Sequence, residues 1–181
     1  HAHYRINSGY LSLNHWTQDP NLGGGRIIGE ACHFIDLISF LVGASPASVT
    51  SHALPDQGKY REDNVSMTFT FPDGSIGVVD YLANGDKSLP KERVEVFCGG
   101  IVTVLDDYVS LTTVKDGKKK VERGAQDKGW KAEMAAFARM MLSTSGSVRT
   151  MSPPVSVSFF HATTYSTPSA TVRTRFWSRA T

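Results

Sequence analysis

The hydrophobic residues of this 181-residue chain change their spacing after residue 42, and that change limits the folds it can adopt. Between residues 27 and 42, apolar side chains such as Ala31, Ile35 and Ile38 recur every three or four positions. This period predicts a largely buried helix, which Gly43 would end. From residue 47 the period becomes two, which is typical of strands with one buried face.

The period-two region predicts a series of paired strands. The apolar alternation is clearest over residues 65–71, 75–82, 92–98, 101–105 and 108–114, and a strand is also predicted over residues 4–13. Short turns such as Asp73-Gly74 and Gly99-Gly100 separate the later runs, so neighbouring strands should pair antiparallel. The expected fold class is therefore α+β, an open antiparallel β-sheet with helices packed on one face.

The end of the chain combines a second helix with a region that lacks a core pattern. Residues 127–142 return to the helical period, and Trp130, Met134 and Phe137 form a stripe that can cap the sheet. After Glu133 the chain contains no acidic residue, and its last part is rich in Ser, Thr and Arg. We expect one domain over residues 1–150 and an irregular Ser/Thr/Arg-rich tail over residues 151–181.

Composition and charge exclude several classes of function. The chain is 40% hydrophobic and 20% charged, which is typical of a globular protein. A net charge of +2 gives no electrostatic basis for nucleic-acid binding, and no apolar run reaches the roughly 18 residues of a membrane span. Cys32 and Cys98 lie in apolar sequence, so we expect two buried, unpaired thiols and a cytoplasmic location.

The segment from Gly23 to Asp36 is the strongest candidate for a functional site. Its glycines imitate a dinucleotide fingerprint, but a polar, Pro-containing loop precedes them where that fingerprint requires a strand. The glycines instead predict an approach to a helix N-terminus, where free N–H groups favour an anion or a polar substrate. At ~100° per residue, Arg26, Glu30 and His33 fall on one helix face. Histidine is the side chain best suited to proton transfer near neutral pH.

Other interpretations of these residues stay open at this point. His33 can be a core histidine hydrogen-bonded to a carboxylate of its own helix. Alternatively, Glu30, His33 and Asp36 can bind a metal ion in a hydrolase. In the preceding loop, Trp16 next to His15 can stack on a sugar ring or close the core.

The run GGGRIIGEACHFIDLISFLVG (residues 23–43) resembles the first helix of the C-terminal domain in the glucose–fructose oxidoreductase/inositol dehydrogenase (Gfo/Idh/MocA) family. Three further stretches are similar to the same domain, namely YRINSG (4–9), FPDGSIGVVDY (71–81) and LPKERVEVFCGG (89–100). The family's usual form has an Asp four residues before the His. In this chain that position is Gly29.

The resemblance implies a two-domain enzyme of which this chain is one part. Family members carry an N-terminal Rossmann domain that binds NAD or NADP and holds a Lys in a Glu-Lys-Pro motif. Neither that motif nor a Rossmann fingerprint occurs in this sequence. We therefore expect an isolated C-terminal substrate and oligomerisation domain, inactive alone and without bound cofactor, whose full-length form uses NAD or NADP.

The resemblance also implies roles for individual residues. His33 matches the catalytic acid/base His, and we expect Glu30 to substitute for the Asp that is missing at Gly29. The expected substrate-binding residues are Arg26, Trp16, His15 and Asn7. The implied substrate is a sugar, cyclitol or related polyol, with no nucleic-acid or membrane partner, and a homo-oligomer should form through the open sheet face. The alternative is a non-catalytic binding or oligomerisation domain.

Overall fold

The computed structural model describes residues 1–143 of the chain, with side chains up to residue 139. The chain divides into two compact units, one over His1–Gln126 and one that begins at Asp127. The predicted boundary at residue 150 and the predicted tail over residues 151–181 lie outside the described residues. Within the described part, none of the helices has the length and apolar character needed to cross a membrane.

The first unit is built on one sheet of eight strands. In chain order the strands are β1 (Ala2–Asn7), β2 (Ser48–Ala53), β3 (Asn64–Thr70), β4 (Ile76–Leu82), β5 (Glu92–Cys98), β6 (Ile101–Asp106), β7 (Ser110–Lys115) and β8 (Lys118–Arg123). Their spatial order is β2-β3-β4-β1-β5-β6-β7-β8. Between β1 and β2 the chain forms a 3₁₀ turn (Trp16–Gln18), a π-helical turn (Ile27–Ala31) and helix α1 (Cys32–Val42). The second unit contains helix α2 (Trp130–Ser143).

The sheet is mixed, because β1 pairs parallel with β4 and antiparallel with β5. The predicted α+β fold with an open sheet is confirmed, and the pairing is antiparallel everywhere in the sheet except between β1 and β4. The physical reason is the crossover: α1 carries the chain back along the sheet, so β2 starts in the same direction as β1. Two hairpin connections later, β4 also runs in that direction and takes the place beside β1.

The hydrophobic core lies between α1 and the middle of the sheet. Tyr4 and Tyr81 are buried on neighbouring strands, and the ring of Phe34 packs against both, with centroids 5.0 and 6.2 Å away. One turn further along α1, Ile38 is fully buried. The predicted helix over residues 27–42 is confirmed, with a π turn as its first part and Gly43 in the left-handed conformation (φ 82°) at its end.

Two local expectations from the sequence are wrong. The first strand ends at Asn7 rather than at residue 13, and the chain turns away two residues later at Gly9, which has φ 65°. Cys32 and Cys98 are exposed free thiols rather than buried ones. Cys32 lies on the solvent side of α1, and Cys98 lies next to the turn of the β5–β6 hairpin, so their apolar sequence neighbours do not cover them.

Helix α2 confirms the predicted second helix, although it starts at Trp130 rather than at residue 127. The apolar stripe of Trp130, Met134 and Phe137 is exposed. That this stripe caps the sheet stays a prediction.

The contact between α1 and β4 generates a test of the core. A Cβ atom added at Gly77 would lie 2.4 Å from Cγ2 of Ile38 and 3.2 Å from the ring of Phe71. Because the packed helix cannot move away freely, we expect Gly77→Ala to lower the free energy of unfolding by about 1–3 kcal/mol. Urea unfolding of the 181-residue chain measures this, with Ser66→Ala at an exposed position of β3 as the control. Equal stability of the two variants would contradict the described packing.

Candidate functional site

Several chain segments that carry polar side chains meet at one end of the sheet. Asn7 and Leu82, the last residues of the parallel strands β1 and β4, are register partners. Antiparallel pairing places the first residues of β3 and β5, Asn64 and Glu92, at the same end. The loops next to these residues therefore gather where the helical segment begins. Ligand sites in sheets with parallel strands favour the end where those strands terminate.

Arg26 is the centre of this end of the sheet, and it is only 6% exposed. Its Nη1 donates to the carbonyl oxygen of Gly9 at 2.8 Å, and its Nε donates to Oε1 of Glu30 at 3.3 Å. Nη1 also lies 3.8 Å from Oδ2 of Asp63, and the guanidinium stacks over the Tyr81 ring, 5.3 Å from its centroid. Arg26 was predicted to bind substrate, but its guanidinium is paired with groups of the protein itself.

Asp63 connects Arg26 to the loop that follows β1. Its buried carboxylate accepts a hydrogen bond from Nε2 of Gln18 at 3.1 Å, and Arg61 donates to the backbone carbonyl of Gln18. Oε1 of Gln18 and the hydroxyl of Tyr81 are buried atoms without a hydrogen-bond partner in the described part of the chain. Burial raises the pKa of Tyr81, so its hydroxyl stays protonated beside Arg26.

Glu30 is a half-buried carboxylate between two cations. Besides its contact with Arg26, its Oε2 lies 3.5 Å from Nζ of Lys91. Burial alone would raise the pKa of Glu30, but the charges of Arg26 and Lys91 outweigh it and hold that pKa below the usual value. Glu30 is therefore ionised at neutral pH. Lys91 was not among the predicted site residues, because its contact with Glu30 depends on the placement of β5 and no local pattern signals it.

His33 lies three residues after Glu30, close to the start of α1, and its side chain is exposed. Within residues 1–143 it takes part in no hydrogen bond, ion pair or ring contact. The interpretation of His33 as a core histidine bonded to a carboxylate of its own helix is therefore wrong. The imidazole is open to a small molecule. Glu30 turns its carboxylate toward Arg26 and Lys91, and no hydrogen bond links it to His33 in the described region.

The other predicted binding residues occupy different environments. Trp16 is 62% exposed, so it does not close the core. His15 caps the 3₁₀ turn, with Nδ1 2.9 Å from Oγ1 of Thr17. Asn7 is buried, and its Nδ2 donates to the carbonyl oxygens of Asp86 and Leu89 at 2.6 and 3.1 Å. The Asn7 side chain thus holds the loop that leads to Lys91.

Two tyrosine hydroxyls and one carboxylate form a hydrogen-bonded group beside this loop. This group was not predicted from the sequence. The Tyr4 hydroxyl donates to Oε2 of buried Glu92 and lies 3.0 Å from the hydroxyl of Tyr108. Asp107 and Tyr108 both have left-handed backbone angles (φ 47° and 59°), each of which costs a residue with a side chain about 1–2 kcal/mol. Burial raises the pKa of Tyr108 to about 12, so it is a neutral phenol at physiological pH. Only the register of β1, β5 and β6 brings these residues together.

The metal-binding alternative required Glu30, His33 and Asp36 to converge. Within residues 1–143, no group of three or more His, Cys, Asp or Glu side chains is placed to hold a metal ion. The described residues therefore assemble no ligand set for a metal-dependent hydrolase.

Sequence comparison identifies the fold family. Residues 1–99, more than half of the 181-residue chain, match the GFO/IDH/MocA C-terminal domain. The chain belongs to this family. No curated protein matches its sequence.

Solved structures of GFO/IDH/MocA-type oxidoreductases share the fold. The aldose-aldose oxidoreductase of Caulobacter crescentus, complexed with glycerol, superposes with a TM-score of 0.63 at 17% identity, over 78% of this chain and 45% of that one. The UDP-N-acetylglucosamine 3-dehydrogenase of Acidithiobacillus ferrooxidans gives 0.60 at 18% identity, over 78% and 44%. The NAD⁺-bound inositol dehydrogenase homologue of Azotobacter vinelandii gives 0.58 at 18% identity, over 71% and 38%. This chain therefore spans less than half the length of each of these enzymes.

The glycine run of this GFO/IDH/MocA domain lies in a loop and shapes the approach to the helix. A Cβ atom at Gly23 would lie 2.3 Å from Cα of Thr17, so this glycine allows close packing inside its own loop. Gly24 and Gly25, with φ of 72° and 90°, shape the turn that leads into the helix. Within residues 1–143 these glycines follow an irregular loop, whereas a dinucleotide fingerprint requires a strand at that place.

The pairing of Glu30 with two cations predicts a pH dependence of stability. Because its folded pKa lies below the unfolded value, Glu30 stabilises the fold above the unfolded pKa, and this stabilisation is lost as pH falls through the folded pKa. We expect Glu30→Gln to be less stable than the unmodified chain at pH ~7, with the difference shrinking toward pH ~3. Urea unfolding across this range measures the difference.

Glu122→Gln is the control for this experiment, because Glu122 pairs with Lys120 at the exposed edge strand β8. Exposed pairs contribute little, so this variant should match the unmodified chain throughout. A Glu30→Gln effect that is independent of pH would contradict the described electrostatics.

Proposed function

We propose that this chain is the substrate-binding domain of an NAD(P)-dependent oxidoreductase that acts on a sugar, cyclitol or related polyol. The observation that carries the proposal is the exposed His33 near the start of α1, which has no partner in residues 1–143 and stands at the loop-rich end of the sheet. Membership of the GFO/IDH/MocA family supports the reaction class. Solved structures with the same fold, such as levoglucosan dehydrogenase, support a carbohydrate as substrate.

In this proposal His33 moves the proton of the reacting hydroxyl. Oxidation of an alcohol removes a hydride from carbon and a proton from oxygen, and a neutral imidazole accepts that proton near pH ~7. A nicotinamide, bound by a dinucleotide domain outside the described residues, supplies the acceptor for the hydride. The choice between NAD and NADP belongs to that domain.

In this proposal the residues around His33 bind or position groups in the site, and none of them transfers the proton of the reacting hydroxyl. Glu30 stays ionised between Arg26 and Lys91, so we assign it an electrostatic role in the site. The exposed indole of Trp16 offers a flat apolar surface to the C–H face of a sugar ring, and His15 holds the turn that presents it. Asn7 fixes the loop that carries Lys91.

We also propose that the domain forms a homo-oligomer through the sheet face opposite α1. Strand alternation places Ile76, Phe97 and Val121 on that face, and all three are more than 40% exposed. Sheets with one uncovered, partly apolar face favour packing against a second copy. A cytoplasmic location, with Cys32 and Cys98 as free thiols, remains part of the proposal.

The proposal predicts that His33→Ala lowers kcat of the full-length enzyme by a factor of about 10²–10⁴, since the reacting hydroxyl loses its proton acceptor. Nicotinamide reduction against a panel of sugars, cyclitols and polyols measures this. His52→Ala is the matched control, because His52 is exposed on the edge strand β2. Turnover of the His33→Ala enzyme at the control's rate would favour the alternative, a non-catalytic binding or oligomerisation domain.

The proposed interface predicts that Phe97→Glu dissociates the oligomer, because burying an unpaired carboxylate at a subunit contact is unfavourable. Sedimentation analysis over a range of concentrations measures the mass. Leu22→Glu is the control, since Leu22 is a 73% exposed apolar residue in the loop before α1. A chain that sediments as a monomer at high concentration would contradict the proposed interface.

A further inference from the structure

Strand β2 is one edge of the eight-stranded sheet, and within the described residues it pairs only with β3. All six of its residues are exposed. Val49 lies opposite the buried Phe69, on the face that carries the core, yet it is 57% exposed because α1 packs over the middle of the sheet. In this part of the chain the outer side of β2 is therefore open along its whole length.

The backbone of β2 directs alternate residues toward this open side. The N–H of Leu54 donates to the carbonyl oxygen of Asn64 at 2.9 Å, in continuation of the β2–β3 register. Because bonded and non-bonded residue pairs alternate in an antiparallel ladder, the even-numbered residues of β2 bond to β3. The N–H and C=O groups of Val49, Ser51 and Ala53 therefore point outward, and within residues 1–143 they have no backbone partner.

The two edges of the sheet differ in their chemistry. The other edge, β8, carries Lys118, Lys119 and Lys120, and charged side chains on an edge strand oppose pairing with another chain. The β2 sequence SVTSHA contains no Asp, Glu, Lys, Arg, Gly or Pro. Proline stands only outside this strand, at Pro46 and Pro55, where it limits the strand's length. β2 thus lacks the features that keep edge strands apart.

The outward groups of β2 are complementary to the same groups of a second copy. When two β2 strands run antiparallel with Ser51 opposite its own counterpart, Val49 of each copy lies opposite Ala53 of the other. All three outward residues then fall in hydrogen-bonded pairs, which gives about six hydrogen bonds between the copies. The same arrangement covers the exposed Val49 side chain with Ala53 of the second copy.

We propose that β2 pairs with β2 of a second copy of this chain across a two-fold axis at Ser51, so that two sheets join into one. The inference goes beyond the proposed function, because this contact lies at a sheet edge and not on the face proposed for oligomerisation. A two-fold contact occupies the edge of both copies, so it forms a closed dimer. One strand pair buries less surface than a permanent dimer, and we expect a Kd of about 1–100 µM.

The test separates the edge contact from the face contact by sedimentation over a range of concentrations. In the Phe97→Glu chain, where the face contact is removed, we expect a dimer to remain. Adding Ser51→Lys places two lysine side chains opposite each other at the two-fold axis, and we expect Kd of this dimer to rise about 10- to 100-fold. Mixing it with an equal amount of the Phe97→Glu chain that carries Ser51→Glu should restore the dimer, because opposite charges then meet.

Lys118→Glu in the Phe97→Glu chain is the matched control, since it changes the charge at the opposite edge of the sheet. Dimerisation of this variant should be unaffected. A Phe97→Glu chain that is monomeric at high concentration would overturn the inference and leave the proposed face contact intact. A Ser51→Lys variant that dimerises as tightly as the control would also overturn it.

Hydrogen exchange of the unmodified chain, measured by NMR, covers the case in which Ser51→Lys fails to fold. The amides of Thr50 and His52 bond to β3 in a single copy, whereas those of Val49 and Ser51 bond only in the proposed dimer. We expect exchange at Val49 and Ser51 to slow as the chain concentration rises above Kd, while exchange at Thr50 and His52 stays slow throughout. Exchange at Ser51 that is independent of concentration, whether fast or slow, would overturn the inference.

Discussion

The buried guanidinium of Arg26 is the interaction on which the rest of the site depends. A charge that is only 6% exposed requires compensation, and Arg26 obtains it from Glu30, Asp63 and the Gly9 carbonyl. These partners come from three chain segments that are distant in sequence. The cluster therefore fixes the start of the helix over the end of the sheet, because a buried charge without its partners is strongly unfavourable.

The same cluster decides which side chains remain available for chemistry. Arg26 and Asp63 are buried and paired with each other, and Glu30 lies between Arg26 and Lys91. His33 lies outside the cluster and is exposed. One short helical segment therefore carries both the side chains that are paired inside the protein and an exposed imidazole.

The sequence predicted those features that arise from local spacing. The apolar period of α1 and its stop at Gly43 were enough to place the helix, and Asp73-Gly74 and Gly99-Gly100 placed two hairpins. The parallel pairing of β1 with β4 was not predictable, because it depends on a crossover and two intervening hairpin connections. The edge strand β8 was also missed, since its Lys-rich sequence has no apolar alternation.

The candidate site shows the same limit. The resemblance and the helical spacing predicted His33, Glu30 and Arg26 as site residues. The spacing did not show that Arg26 is buried among ion-pair partners. The contact of Lys91 with Glu30 and the grouping of Tyr108 with Tyr4 and Glu92 depend on strand register and on a left-handed turn, neither of which is encoded by a motif in the chain. Pairing between strands that are distant in sequence therefore produces the contacts that could not be predicted from the sequence.

The most direct test of the account is a crystal structure of the full-length enzyme with a bound polyol and a nicotinamide dinucleotide. We expect the reacting hydroxyl oxygen to lie within about 3.2 Å of a ring nitrogen of His33, directly or through one water molecule. A polyol bound at another surface, with His33 still facing bulk solvent, would contradict the account.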